Sequence, residues 1–357
     1  MKALRNQCIN GGKREGATTT GQLPTWVTDV PYDVRDEAMR DLLKAFKTCF
    51  AKGEKFKMRF RSRKARQNTI SVLAKHWGRT RGAYAALFRP GVLKSSEALP
   101  ATLPSDSRLT RSRLGHYHLC IPQELPMHGA ATACGVSGSE NQAPAPTVRV
   151  ASIDPGVRTF ATVYSSEGEV TQWGSGDVGR IYRLCAHMDK LQSKWSAPGI
   201  RHAQRRRMRR AGLRMQLRIR HLVRELHHKL ALYLCRTHDI ILLPKFDTQN
   251  MVRRGKRVIK SKTARAMCTW SHYRFRQHLI HKARAFPGRQ VVLVSEAYTS
   301  KTCGRCGWMH PNLGGSKVFL CRKCGLRADR DVNGARNVML RTVGVGAGAG
   351  FQPVIGA

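Results

Sequence analysis

Four cysteines lie in two pairs, Cys303-x2-Cys306 and Cys321-x2-Cys324, with 14 residues between the pairs. Gly304, Gly307 and Gly325 occupy the tight turns that such pairs need. Four thiolates on two knuckles make a closed tetrahedral shell for one Zn²⁺, a structural site with no open position for a substrate. The other cysteines (Cys8, Cys49, Cys120, Cys134, Cys185, Cys235 and Cys268) are scattered singly. That pattern does not suit a disulfide framework and fits a reducing, intracellular compartment.

Three stretches place a carboxylate where a metal could use it. Asp154 follows an apolar run in "SIDPGVRTF", just before Pro155 and Gly156. An acid held at a buried strand end loses solvation unless it pairs or binds a cation. The same Asp-Pro-Gly is also good turn chemistry. Glu296 ends a buried type of strand in "VVLVSEAYTSKTC", and competes with a reading as an exposed loop residue. Asp329 and Asp331 open the last helix in "LRADRDVNGARN", where acids also serve as caps. Two acids two residues apart cannot share a helix face. Asp331 leads the small-residue packing motif "DVNGA", so it is the expected third acid and Asp329 its substitute. Three carboxylates from separate elements at one sheet edge suit a pair of Mg²⁺ ions. One such ion activates water and the other steadies the leaving oxygen of a phosphodiester.

Against 22 Asp and Glu there are 64 Lys and Arg, a net charge of +42 over 357 residues. Positive charge on this scale repels itself and needs a polyanion. Nucleic acid is the natural one, since each neutralised phosphate releases a counterion. An anionic membrane surface is the competing partner, but 14 His and 6 Trp among apolar stretches resemble a folded binder more than a polybasic anchor. No apolar run reaches the ~18 residues of a membrane span, and Met1 to Gly21 has no signal-peptide pattern. In "KFKMRFR", Lys55, Lys57, Arg59 and Arg61 alternate with Phe56, Met58 and Phe60. The basic face is either a phosphate platform or a charge-protected strand edge. Residues 201–230 hold ten Arg and one Lys against the single acid Glu225. Arg205, Arg206, Arg209 and Arg210 are the candidate phosphate ligands there. Tyr298 is a candidate for base stacking or for the core.

The elements that must position these groups follow from periodicity. Residues 1–30 carry little pattern and read as disordered. From Val34 to Phe50 apolar residues recur at helical spacing, with Asp33 as the expected N-cap. The basic strand, "YAALF" and "HYHLCIP" read as strands, and residues 123–147 as a Gly/Ala/Pro/Ser-rich linker. Next come three short strands, "VRVASID", "TFATVYS" and "VTQWG", then a long helical region over roughly 178–237. Its stripe is Met215, Ile219, Leu222, Leu226 and Leu230. Strand "DIILLPKF", a helix around Ala264 to Ala285, strand 289–296, the cysteine insert and a last helix complete the order. Three antiparallel strands followed by α/β crossovers is the ribonuclease H-like order. The right-handed crossover rule puts the fourth strand beside the first and the fifth beyond it. The first, fourth and fifth strands then end at one edge, where open α/β sheets bind ligands. The expected divisions are a helical, recognition-like segment with the basic strand at 31–93, a wedge-like strand region and linker at 94–147, nuclease-type α/β structure at 148–302, the zinc ribbon at 303–324, the last helix at 325–341 and a flexible tail at 342–357.

Taken in order, "SIDPGVRTF", "YTSKTCGRCG", "FLCRKCG" and "ADRDVNGARN" resemble the RuvC nuclease half of the TnpB transposon-associated proteins and their eukaryotic relatives, the Fanzor proteins. "RDEAMRDLLKAFK" and "KFKMRFRSRK" are similar to that family's N-terminal half. The resemblance covers most of residues 31–341. It implies an α/β RNase H-like (RuvC) nuclease domain with an inserted zinc ribbon, preceded by a helical and β-strand nucleic-acid-binding lobe. It also implies a monomeric ribonucleoprotein carrying a transposon-encoded omega RNA guide, which recognises a short target-adjacent motif and cuts double-stranded DNA. Two departures are visible. TnpB proteins typically have a glutamate where Pro244 stands in "PKFDTQNM". The chain resembles the Fanzor type, in which that acid is lost and one appears before "YTSKTC", here Glu296. Little precedes residue 31, so the chain reads as a short or truncated member. The competing expectations are an RNA-guided or plain DNA-binding protein with a degenerate centre, and a guide-free structure-selective nuclease or transposase-like factor. A basic run such as "RRRMRR" is an RNA contact or, in a eukaryotic host, a nuclear address.

Overall fold

The computed structural model describes residues 30, 32–52, 67–77, 95–125, 127, 148–255 and 258–344. The chain divides into two compact units, Met1–Glu124 and Leu125–Ala357. The first contains helix α1 (Tyr32–Ala51) and strands β1 (Gln67–Val72), β2 (Ser107–Ser112) and β3 (Tyr117–Cys120). The strands form an antiparallel sheet in the order β1-β2-β3. Val72, Trp77 and Leu103 are its buried centre, with Leu109 and Leu119 packed against them. Asp33 is not the residue before α1: the helix starts at Tyr32, so Asp33 lies in the first turn. There its charge faces the positive end of the helix dipole. The basic strand with Lys55, Lys57, Arg59 and Arg61, and "YAALF", lie outside the described residues.

The second unit is a mixed α/β fold. Strands β4 (Val150–Pro155), β5 (Ala161–Ser165) and β6 (Val170–Trp173) form a meander. Helices α2 (Asp177–Ser196) and α3 (His202–Thr237) lead to β7 (Ile240–Pro244). Helices α4 (Thr248–Val252), α5 (Ser261–Trp270) and α6 (His272–Ala283) lead to β8 (Gln290–Val294). A short hairpin, β9 (Val318–Leu320) and β10 (Arg327–Asp329), precedes helix α7 (Arg330–Gly344). The main sheet runs β6-β5-β4-β7-β8, with β4, β7 and β8 parallel and the meander antiparallel. β7 has a parallel neighbour on each side. Both its faces are covered, which explains its unbroken apolar run.

The sheet separates two layers. Ala151, Ile153, Ile241, Leu243 and Val291 pack with residues of α2, α3 and α6, including Ile181, Leu230, Leu234, Phe275 and Leu279. Leu242, Val292 and Val294 face the other way, onto Val338 of α7. This is the two-residue alternation of strands, seen on three parallel neighbours at once.

Several local expectations are corrected. The helical region 178–237 is two helices, because Pro198 cannot donate to a helical bond and Gly199 takes φ +75°. The helix expected around 264–285 is broken at Ser271, which sits at φ 54° between α5 and α6. The buried line of α3 is Ile219, Val223, His227, Leu230 and Leu234, while Met215, Leu222 and Leu226 are half-buried. His227 belongs to the core because its Nε2 meets the Trp270 carbonyl at 2.9 Å. Its ring lies 5.0 Å from that of Phe160. β8 stops at Val294, two residues before Glu296.

Phe160 is the centre of an aromatic cluster. His272 stacks on it at 4.8 Å, and Trp270 and Phe275 approach at 5.3 Å. Burial pushes His227 down to about 4 and His272 down to about 3 from the usual 6.5. Both folded values lie below the unfolded one, so the unfolded chain takes up protons first as pH falls. Stability present above pH 6.5 is therefore lost below it, by about 1.4 kcal/mol per pH unit for each histidine. Thermal melts between pH 6.5 and 4.5 read the histidine contribution as the difference in slope between the wild type and a variant lacking both rings. The double variant His227→Gln/His272→Gln will show a shallower fall. Equal slopes for the two proteins would contradict this account.

Candidate metal centre and cysteine cluster

Asp154 is the second-last residue of β4. Ser152, two residues earlier, donates its hydroxyl to the Ala335 carbonyl at 2.8 Å. Strand alternation puts Asp154 on the same face, under α7. Gly334 makes that approach feasible: a Cβ there would sit 2.9 Å from Asp154 Oδ2. Asp331, Gly334, Ala335 and Val338 are spaced i, i+3, i+4 and i+7, one face of α7. Asp331 thus stands one turn before Gly334, on the helix face that meets Asp154. Asp329 does a different job. Its Oδ1 accepts from the Asp331 and Val332 amides at 2.8 and 3.2 Å, which makes it the cap of α7.

Ladder register locates Pro244 against these acids. Ser152 is level with Leu242, and Pro244 with Val294. Two residues past Ser152, Asp154 falls at the level of Pro244. An acid at that place would be its direct neighbour across one ladder. Glu296 lies two residues past Val294, so it emerges at the same edge one strand further on. Its loop is clamped from α7. Thr299 accepts with its carbonyl from Asn337 Nδ2 at 2.8 Å, and the Ala297 carbonyl accepts from Arg341. Thr299 in turn donates its hydroxyl to the Glu296 carbonyl at 2.9 Å.

The carboxylates perturb one another. Burial, then the charges of Asp331 and Glu296, raise Asp154 to about 8, and Arg330 opposes them. Glu296 is raised by burial alone, and Asp331 by burial and Asp329. Asp154 retains some solvent access although protein atoms crowd it. Three acids with raised affinities for protons, opposed at Asp154 by Arg330, form a donor set that a divalent cation would relieve. The three do not close as tightly as the cysteines below.

The cysteines form the compact metal-ligand group among the described residues. The sulfurs of Cys303, Cys306, Cys321 and Cys324 all lie within 4.8 Å of one another. Cys303 and Cys324 are 3.6 Å apart, and Cys306 and Cys321 3.5 Å. A tetrahedron with metal–sulfur bonds of about 2.3 Å has edges of about 3.8 Å. The two knuckles repeat each other. Gly307 and Gly325 each take φ 72°, and each donates at 3.0 Å to the carbonyl of the first cysteine of its pair. α7 also anchors this cluster. Asn333 Oδ1 accepts from the Gly304 amide at 3.0 Å, and Asn333 and Asn337 both donate to the Thr302 carbonyl.

Of the other candidate residues, Arg206, Arg209 and Arg210 are exposed on α3. Arg205 is half-buried and donates to the Ala197 carbonyl at 3.3 Å, closing the turn after α2. Asp247 caps α4 through the Asn250 amide at 3.2 Å. Asn337 and Arg341 gave no signal in the sequence as supports for the site.

Two family models match the chain. "Cas12f1-like, TNB domain" covers residues 272–338 and "Probable transposase" covers residues 133–255. The TnpB-like protein L770 of Acanthamoeba polyphaga mimivirus is 28% identical over 284 residues, 74% of this chain and 51% of that protein. The chain is a homologue of the TnpB-like proteins. It spans about half the length of the first mimivirus relatives it matches. A Streptomyces pristinaespiralis protein named "Putative RNA-guided DNA endonuclease" is 28% identical over 334 residues, 92% of this TnpB homologue and 75% of that protein. A solved Cas12f1–sgRNA–target DNA complex aligns with a TM-score of 0.37 and 16% identity, over 56% of this chain and 51% of that one. Among the described residues no helix is long and apolar enough to cross a membrane.

Because Asn337 satisfies two carbonyls in the clamp, Asn337→Leu will destabilise the unit by about 1–3 kcal/mol. Urea unfolding followed by tryptophan fluorescence measures it. A change below about 0.5 kcal/mol, the usual size for a neutral surface site, would mean that the clamp contributes little.

Proposed function

We propose that the chain is an RNA-guided, Mg²⁺-dependent DNA endonuclease with a RuvC-type, ribonuclease H-like centre, of the Fanzor type with the relocated glutamate. The observation that carries this is the convergence of Asp154, Glu296 and Asp331 at one sheet edge beneath α7. The strand order, the family models and the names of the relatives support the reading. Asp154, Glu296 and Asp331, once deprotonated, would hold two Mg²⁺ ions, whose chemistry would be to activate a water and to stabilise the leaving oxygen of a phosphodiester. Asp329 stays with the helix cap. Cys303, Cys306, Cys321 and Cys324 hold one structural Zn²⁺, which fixes the segment between β8 and α7.

The partners in this reading are an omega RNA guide and double-stranded DNA beside a short recognised motif, in a monomeric ribonucleoprotein. Arg206, Arg209 and Arg210 contact phosphates, as do Lys55, Lys57, Arg59 and Arg61. The protein reads the shape of the heteroduplex and base pairing reads its sequence. Tyr298 has the exposure that stacking on a base requires. It is 63% exposed and held at φ 63°, two residues from Glu296.

Pro244 favours a second reading, a catalytically inactive RNA-guided or plain DNA-binding protein. Cleavage by the purified protein with its co-purified RNA and Mg²⁺ separates the two. Under the proposal, Glu296→Ala lowers cleavage at least ~100-fold, in the range of lost metal-site or electrostatic groups, while RNA binding persists. Asp247→Ala retains cleavage, since that side chain is a cap. Loss of cleavage on changing Asp247, with Glu296→Ala still active, would sink the relocated-acid assignment. An inactive wild type would favour the second reading. Metal analysis should also find one zinc per chain, and Cys306→Ser/Cys321→Ser should lose it. A full complement of zinc in that double variant would rule out the cysteine site.

A further inference from the structure

On the sheet face away from α7, helices α2, α3, α5 and α6 enclose a cavity of about 590 Å³. None of the three carboxylates lines it. Along α3, Arg220, Arg224 and His228 are spaced four apart and form one line beside the buried line of Ile219, Val223 and His227. Arg274 and His278 of α6 face them across the opening. The rings of His228 and His278 stand 4.1 Å apart. Arg265, also in the wall, is paired with Asp189. Among the described residues no carboxylate pairs with Arg220, Arg224 or Arg274.

Like charges four residues apart on a helix are destabilising by about 0.2–0.5 kcal/mol. Burial and His228 both hold His278 below its usual range, so the opening already disfavours further positive charge. The floor has the opposite character: Cys185, Ile219 and Val223 are buried and apolar. Cationic rim and apolar floor match a molecule with one anionic and one flat, weakly polar end. The volume lies in the ~300–1,000 Å³ range of small-ligand sites. A nucleotide meets all three conditions. A paired base within a duplex does not, because its faces are already stacked.

We propose that this cavity binds a single unpaired nucleotide, its phosphate at Arg220, Arg224 and Arg274 and its base over Ile219 and Val223. The site deepens the nucleic-acid reading above and rests on it. The ligand is either a free nucleotide or an unpaired residue of a bound strand, and the two share this chemistry.

Cys268 is exposed, lies in the cavity wall and reports occupancy. The test is site-resolved alkylation of the full chain with N-ethylmaleimide, read by mass spectrometry. Cys120, exposed in the other unit, serves as the internal reference. Ligands are a labelled 20-nucleotide single strand, its blunt duplex, AMP and inorganic phosphate, with strand binding followed by fluorescence anisotropy. The single strand should slow Cys268 alkylation at least fivefold relative to Cys120. AMP at millimolar concentration should do so if free nucleotides enter, and its failure beside a protecting strand assigns the site to strands. Arg220→Ala/Arg224→Ala/Arg274→Ala should raise the half-protecting concentration at least tenfold, without lowering the melting temperature. Bound strand without protection overturns the pocket and leaves the nucleic-acid reading standing. No binding of any strand overturns both. Equal protection by duplex or by phosphate overturns the unpaired-base assignment.

Discussion

The contact on which the site depends is the approach of α7 to the end of β4. Gly334 leaves room for the Asp154 carboxylate, and Ser152 ties the strand to the Ala335 carbonyl. A β-carbon at 334 would fall inside normal contact distance of Asp154, so helix and acid can meet only across a glycine. From that contact α7 reaches outward. Its first turn presents Asp331, and Asn333 and Asn337 hold the segment entering the cysteine cluster. Asn337 and Arg341 hold the loop that carries Glu296. One helix therefore sets the positions of two acids and braces the metal-ligand cluster. This gives the cysteine cluster a physical role at the site: it fixes the far end of the segment that α7 must grip.

The register explains why an acid can leave β7 without destroying the centre. By extension of the Ser152–Leu242 register, Pro244 stands level with Asp154 at the end of the neighbouring strand. β8 is the next strand, and Glu296 leaves its end on the side α7 covers. Burial raises the proton affinity of Glu296, and the charge of Glu296 contributes to raising that of Asp154. The two acids sense each other across the position that proline occupies. Pro244 itself needs no amide donor, because β7 ends there.

The sheet order could be read from the sequence. Apolar runs of strand length and a fixed crossover hand leave few alternatives for five strands. The cysteine cluster and the place of Asp154 near a strand end were also legible, since turn glycines and strand ends leave local marks. Other features depend on contacts distant in sequence. Ser271 at positive φ has no glycine to announce it, and lies between Trp270 and His272, both buried in the Phe160 cluster. His227 looks polar in the α3 pattern and is core because Trp270 supplies its partner. Asp329 and Asp331 look equivalent until the β9–β10 hairpin shows that the helix begins between them. Arg205 sits in an arginine-rich run, yet it braces the turn after α2.

The charge of the chain is distributed in two ways. On α3, Arg206, Arg209 and Arg210 are exposed, while Arg220 and Arg224 open onto a cavity with an apolar floor. The carboxylates lie on the opposite side of the sheet. The measurement that tests the metal-centre account most directly is anomalous diffraction from Mn²⁺-soaked crystals of the protein. The account predicts two manganese peaks among Asp154, Glu296 and Asp331, with Asp329 still bonded to the α7 amides. Manganese bound at Asp329 or Asp247 instead, with none at Glu296, would contradict it.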